Sequence, residues 1–435
     1  MSNFMKVTLI ADSCFLFEYQ GVRILTDPWI GTPAYDGAWL QFPQPVINAK
    51  EVGRLDYIFI SHIHEDHCDL KTLLYLDRSA KIVLMDRHPN LVENFLHYHN
   101  LSFGEVIKLR PRQLWEVTPS LFFEVVEADP AHDLNHLIDS SLIIHFDGKA
   151  VYFANDNPPY PALDDYLSRY QFDLALLPPV GGSGYPACYD NLTETEKLKK
   201  ADLIRHRYHA EMLDCLRRLE PRLFCSVANS HVLAGKSALL NDFMAWPRSA
   251  ASVYRYIADH RQAGDEFRPV LLLPGDTISL ETEIGVEDAV AANFYDDEIE
   301  REAFIHGKAK DTHHHFEVIQ LNPSISFPHL FTLAHKRLEI YLSRNSLDIP
   351  WQYFFAYDQE KYASVSLSPP YTLDMNVLPC EINRLIVRCD PRLLFLLLTG
   401  GFSWNIADAS GFLRYNRCPD EYIFEMYIAL NYFRI

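Results

Sequence analysis

Four side chains able to bind a metal, His62, His64, Asp66 and His67, fall within six residues directly behind a short apolar run, Asp56-Tyr57-Ile58-Phe59-Ile60. The run has strand length and is rich in β-formers. Layered α/β folds place their chemistry at the C-terminal ends of strands, where this cluster would sit. Imidazole nitrogen and carboxylate oxygen suit zinc or iron, and four such groups this close can serve two neighbouring metals. The bland alternative is a polar loop with chance histidines. The spacing, the strand in front and the partners downstream argue against it.

Those partners follow in order. Ser141 to Phe146, Asp147-Gly148 and Lys149 to Ala154 read as a β-hairpin with its turn at Asp-Gly, ending at Asn155-Asp156-Asn157. Upstream of it, His132 and His136 are two candidates for a further histidine ligand. Leu223 to Ala228 is another β-like run, followed by Asn229-Ser230-His231.

Composition bounds the function classes. With 435 residues the chain is long enough for two domains, or for one large domain with an appendage. The formal charge of -19, from 39 basic and 58 acidic residues, argues against nucleic acid or an anionic membrane as the main partner. An anionic small substrate held by a few arginines is compatible with it. No basic segment leads into an apolar stretch at the N-terminus, and no apolar run approaches membrane-spanning length, so a cytoplasmic location is expected. The eight cysteines are scattered without C-x-x-C spacing, as suits a reducing compartment. Cys68, next to His67, reads as a small buried residue at the start of a helix.

Along the chain, Phe15 to Tyr19 and Val22 to Leu25 should pair around Gly21. Lys81 to Met85 and Asp173 to Leu177 should be buried strands, and residues 194–219 a long helix stopped before Pro221. Strands alternating with helices indicate a layered α/β architecture. Beyond about residue 250 the character changes. Asp296 to Glu302 reads as a solvated helix face, and His313-His314-His315 as a surface turn. Residues 335–435 alternate apolar runs with turns, a second folded region expected to pack on the first.

Ile60 to His67 matches the H-x-H-x-D-H signature of the metallo-β-lactamase fold. More narrowly, the chain resembles the CMP-N-acetylneuraminate hydroxylase family. The resemblance is carried by Leu25-Thr26-Asp27-Pro28-Trp29-Ile30, Ala38-Trp39-Leu40, Gly181-Gly182-Ser183-Gly184-Tyr185-Pro186, Tyr208-His209-Ala210 and Leu219 to Cys225. A weaker echo lies in Ser403-Trp404 and in Arg414 to Pro419. The resemblance implies an αββα sandwich over residues 1–250, with a C-terminal accessory domain over 251–435. It implies two metals, with iron, zinc or manganese as candidates. His62, His64 and His136 would hold one, Asp66 and His67 the other, and Asp156 would bridge them; His231, which departs from an aromatic residue in that family, follows a late strand and would complete the second set. His136 is preferred to His132 because it precedes Asp139-Ser140 as that family's histidine precedes Asp-Thr/Ser. Asp66 and Asp156 are the candidate catalytic carboxylates.

The family also carries a Rieske iron–sulfur domain. No Cys-x-His pair occurs here, so no Rieske cluster is expected within this sequence. Reducing electrons would then come from an external donor or from the substrate. Two chemistries fit the ligand types: an iron oxygenase acting on a polar, nucleotide-sugar-like molecule, or a zinc hydrolase of an ester, lactone or phosphodiester. For the substrate, Gly182, Ser183 and Tyr185 form a loop that either exposes backbone N–H groups to a phosphate or sugar or merely turns tightly. Arg414 and Arg417 either hold an anionic group or form surface salt bridges.

Overall fold

The computed structural model describes residues 4–128, 139–157, 160–179, 183–228, 231–246, 249–280, 298–358, 361–380 and 383–435. Two seven-stranded sheets stack face to face. The first has the order Thr277–Ser279, Lys6–Ala11, Cys14–Tyr19, Val22–Thr26, Tyr57–Phe59, Lys81–Met85, Glu105–Leu109. The second runs Arg268–Pro269, Leu223–Ser226, Leu174–Leu177, Lys149–Phe153, Ser140–Phe146, Leu121–Glu127, Trp115–Thr118. The sheets continue past residue 250, because Arg268–Pro269 and Thr277–Ser279 form an edge strand of each.

The sequence dictates these strands in two ways. Leu174–Leu177 and Leu223–Ser226 are continuous apolar or small runs, buried throughout, as parallel strands covered on both faces must be. Hairpins arise where the turn chemistry allows. Gln20-Gly21 and Asp147-Gly148 all take positive φ, the conformation that matches a two-residue turn to strand twist. Between the sheets lies a core of Phe15, Phe17, Phe59, Phe123, Phe153 and Leu176.

Helices cover both outer faces. Leu70–Leu73 and Leu91–Tyr98 pack on the first sheet, while Asp164–Leu167, Glu194–Leu219 and Ala250–His260 pack on the second. The long helix opens with a Thr193/Glu196 capping box and closes at Glu220, left-handed at φ 45°, just before Pro221. Its buried residues crowd into the C-terminal half, from His209 to Leu219. Cys68 is buried just before the capping Asp69, as expected.

The C-terminal region holds a five-stranded sheet ordered Leu373–Val377, Lys361–Ser366, Gln352–Asp358, Arg384–Arg388, Arg414–Cys418. Its core is continuous with Trp29, Tyr35, Trp39, Tyr189 and Trp246 of the sandwich, and Met426, Leu430 and Phe433 of the C-terminus are buried in it. Two expectations need correction. His314 is only 1% exposed and belongs to the interior, although His313 and His315 stay at the surface. Within the helix Glu298–Phe304, Arg301 is buried among exposed neighbours, so that helix is not solvated all round. Among the described residues, no helix is long and apolar enough to cross a membrane.

Candidate metal centre

The histidine cluster is held at the end of Tyr57–Phe59 by one buried carboxylate. Asp27 follows the neighbouring strand Val22–Thr26, and its Oδ1 accepts the Ser61 N–H at 2.7 Å. Its Oδ2 accepts the Ser61 hydroxyl at 2.8 Å and the His67 Nδ1–H at 2.9 Å. The chain then makes a tight turn, His67 N to His64 O at 3.0 Å and Cys68 N to His64 O at 2.8 Å. The short helix Leu70–Leu73 begins there, capped by Asp69. All the sequence-predicted ligands of this segment therefore emerge at one edge of the sandwich.

His62, His67 and Asp156 bring ligand atoms within 4.8 Å of one another, although Asp156 comes from the other sheet. Asp156 Oδ2 lies 3.2 Å from His67 Nε2, and Asp66 Oδ2 lies 3.4 Å from the same nitrogen. His64 joins through Nδ1, which shares a hydrogen bond of 2.9 Å with His62 Nε2. His62 is oriented from behind by the Ser61 hydroxyl at 2.9 Å and by Asp139 at 3.5 Å. His231 opens the strand His231–Leu233, paired with Trp39–Gln41, and its ring stacks on Trp39 at 3.8 Å. His136 and Gly182 lie outside the described residues.

Charge explains what this arrangement is suited to hold. His67 Nε2 is fully buried and, among the described residues, has no well-aligned hydrogen-bond partner, although Asp156 and Asp66 face it. Burial alone would depress this imidazole, but Asp156, Asp66 and Asp27 together raise its pKa well above the usual range. That field favours a cation at Nε2, whether a proton or a metal. His62 is driven the other way, by burial and by the neighbouring His67 and His64, and is neutral as a ligand must be. Burial pushes His231 down to about 4, and among the described residues both its ring nitrogens lack hydrogen-bond partners. Buried imidazoles ordinarily find a partner, so the orphaned nitrogens and the mixed nitrogen and oxygen donors fit a metal centre.

The remaining candidates assemble elsewhere. Ser183 Oγ accepts the Tyr185 N–H, and the Tyr185 phenol donates to Asp420 at 2.8 Å. Arg417 is 4% exposed, donates to Asp420 at 2.7 Å and to Tyr427 at 2.9 Å, and lies over the rings of Tyr185 and Tyr189. Arg414 donates to the Gly411 carbonyl at 2.9 Å. Arg417 meets the Ser183–Tyr189 segment through the rings of Tyr185 and Tyr189, and Arg414 through Cys188 Sγ at 3.8 Å.

Sequence reasoning gave no site role to Asp27, Asp139, Tyr35 or Trp39. Asp27 had a signal, an acidic residue directly behind an apolar strand run. Tyr35 had none. Its phenol donates to Asp66 Oδ1, and its backbone N–H donates to Glu65 at 2.5 Å, contacts made across the fold.

A beta-lactamase superfamily domain matches residues 22–225, the stretch that carries the histidine cluster, Asp156 and the strands presenting them. The chain is a metallo-β-lactamase-fold protein. Cytidine monophosphate-N-acetylneuraminic acid hydroxylase of Mus musculus is 24% identical to it over 238 residues, 52% of this chain and 39% of that protein. A Mycolicibacterium smegmatis protein named as a Rieske 2Fe-2S iron-sulfur protein is 29% identical over 201 residues, 43% of this chain and 36% of its own length. This metallo-β-lactamase-fold chain thus spans little more than a third of the relatives it matches, and it is related to the hydroxylase family. Among solved structures, a metallo hydrolase of Ignicoccus hospitalis is similar with a TM-score of 0.42 and 20% identity, covering 64% of this chain and 100% of that one. The diiron β-hydroxylase CmlA of Streptomyces venezuelae is similar with a TM-score of 0.41 and 15% identity, covering 64% and 54%.

Proposed function

We propose that this chain is a metal-dependent oxygenase holding two iron ions and acting on a polar, nucleotide-sugar-like small molecule. The observation that carries the metal reading is His67 Nε2, buried without a well-aligned hydrogen bond among the described residues and faced by two carboxylates. The oxygenase reading is supported by relatedness to proteins named as hydroxylases. His62, His64 and His136 would hold one ion, Asp66, His67 and His231 the other, with Asp156 between them. When bound, iron would supply the redox chemistry that dioxygen requires, and zinc in its place would supply Lewis acidity.

The chain's own residues do the positioning. Asp27 fixes the His67 tautomer by taking the Nδ1–H, which leaves Nε2 as the donor atom. Ser61 and Asp139 orient His62 in the same manner. Trp39 and Trp246 flank His231 with apolar rings and exclude water from that side. Electrons would arrive from a separate donor protein or from the substrate. The eight cysteines are all unpaired thiols, which supports a reducing, cytoplasmic setting.

A second reading, zinc-dependent hydrolysis, is favoured by His231 as an additional neutral imidazole beside the carboxylates. One experiment separates the two. Native protein purified without added metal should contain iron, and its reduced form should consume dioxygen when substrate is present. Zinc-restored turnover under strict anaerobiosis overturns the oxygenase reading.

A further inference from the structure

The segment from Ala34 to Trp39 is built against its own backbone preferences. Tyr35, Asp36 and Gly37 are consecutive residues at φ 53°, 57° and 84°, a left-handed run that only the glycine adopts freely. Such runs persist where surrounding contacts over-determine them. Here the contacts come from two sides. On one side, Tyr35 donates its phenol to Asp66 Oδ1 and its N–H to Glu65, and Trp39 stacks on His231. On the other, the Asp36 carboxylate accepts the N–H groups of His315 at 3.1 Å and Phe316 at 3.3 Å, and faces His315 Nδ1 at 2.6 Å. The Asp36 carbonyl accepts from His314 Nδ1 at 3.0 Å. Gly37 is closely packed as well, since a Cβ there would lie 3.3 Å from the His313 carbonyl.

From this geometry we infer that Tyr35 is a positioning residue of the metal centre, and that the C-terminal region sets its position through the Asp36 clamp. The phenol engages Asp66 Oδ1 and leaves Oδ2, the atom directed at His67 Nε2, as the oxygen free to meet a cation. Tyr35 therefore favours Asp66 as a one-oxygen ligand over chelation through both oxygens. The ring is 4% exposed and meets Trp39 edge-on at 4.7 Å, so the phenol cannot swing away without disturbing the residue that supports His231. His313-His314-His315, which has no part in the metal site itself, thereby becomes part of what shapes it. The inference rests on the metal-centre reading.

The test uses the full chain stripped with chelator and reloaded with Co2+, whose visible bands report coordination number. Tyr35→Phe keeps the ring and removes the hydroxyl. It should weaken Co2+ binding about tenfold, the scale of losing an outer partner of a metal ligand, and should lower the visible absorption intensity as Asp66 turns two-coordinate. The melting temperature of the stripped variant separates this from unfolding and should stay within a few degrees of the parent. Asp36→Ala, which touches no ligand, should move the Co2+ spectrum in the same direction. A Tyr35→Phe protein with the parental affinity and spectrum overturns the role of Tyr35, and an unchanged Asp36→Ala spectrum overturns the clamp. Parent protein that binds no Co2+ overturns the metal-centre reading instead, so the two failures are distinguishable.

Discussion

Two histidine-rich segments, residues 62–67 and 313–315, put the same side chain to opposite uses. In the first, the backbone turns tightly behind a central strand, and the rings converge with carboxylates from both sheets. In the second, the backbone is extended at His314, so neighbouring side chains are thrown to opposite sides. His314 enters the interior against Phe316 and Phe412, while His313 and His315 remain outside, near Glu317 and Asp36. Density of histidine in a sequence is therefore a poor guide to metal binding. The decisive features are a backbone that converges the rings and buried carboxylates that demand a cation.

The contrast predicts separable failures. The largest effect is expected from Asp156→Ala, which removes shared negative charge from the centre. Metal affinity should fall on the order of 100-fold or more, beyond the loss of an outer partner, and added metal should no longer raise the melting temperature. Two metals bound at parental affinity, measured by elemental analysis and competition with a chelator, would reject the assignment of Asp156.

His314→Ala should fail in the other way. It empties a packed site beside Phe412, at a cost of about 2–4 kcal/mol by comparison with other large-to-small core changes, while the number of metals bound is unchanged and loss of the contact to Asp36 shifts only the Co2+ spectrum. Denaturant unfolding of the stripped protein reads this directly, and a loss below 1 kcal/mol would mean that the site is not packed as described.

The carboxylates divide similarly. Those at the metal end face histidines, whereas Asp408 is held by the Tyr415 phenol and the Gly184 N–H, with burial pushing its carboxyl up to about 6. A carboxyl with a raised folded-state pKa contributes fully below its unfolded value, near 3.8 here, and loses that contribution as pH rises through about 6. Asp408→Asn should therefore stabilise the protein at pH 8 by about 1–3 kcal/mol, and the advantage should vanish near pH 4. Melting curves across that range that keep a constant difference would refute the assignment. The smallest effect is expected from His313→Ala, within about 0.5 kcal/mol, because the side chain is 90% exposed. A larger loss would show that 313–315 acts as one unit.

Much of the scaffold was legible because it is local. The 194–219 helix announced itself through Thr193, Glu196 and Pro221, and the Asp147-Gly148 turn named its own hairpin. That His62, His64, Asp66 and His67 share one turn behind one strand was legible for the same reason. Asp156 could be read one step further, through the hairpin that ends just before it. The reading failed where the partner lies far along the chain. Asp27 reaches His67 across 40 residues, Tyr35 reaches Asp66 through a strained loop, and His314 is drawn inside by Asp36, 278 residues away.

The sequence by itself determined which residues can bind a metal, which strand presents them and where the hairpins and the long helix run. These depend on side-chain chemistry, hydrophobic period and turn propensity, which act over a few residues. Tertiary structure alone decided which carboxylate fixes which imidazole, which oxygen of Asp66 is left free and which of three adjacent histidines is buried. Those outcomes depend on burial and on hydrogen bonds a few ångströms long between segments tens to hundreds of residues apart, and no local pattern encodes them.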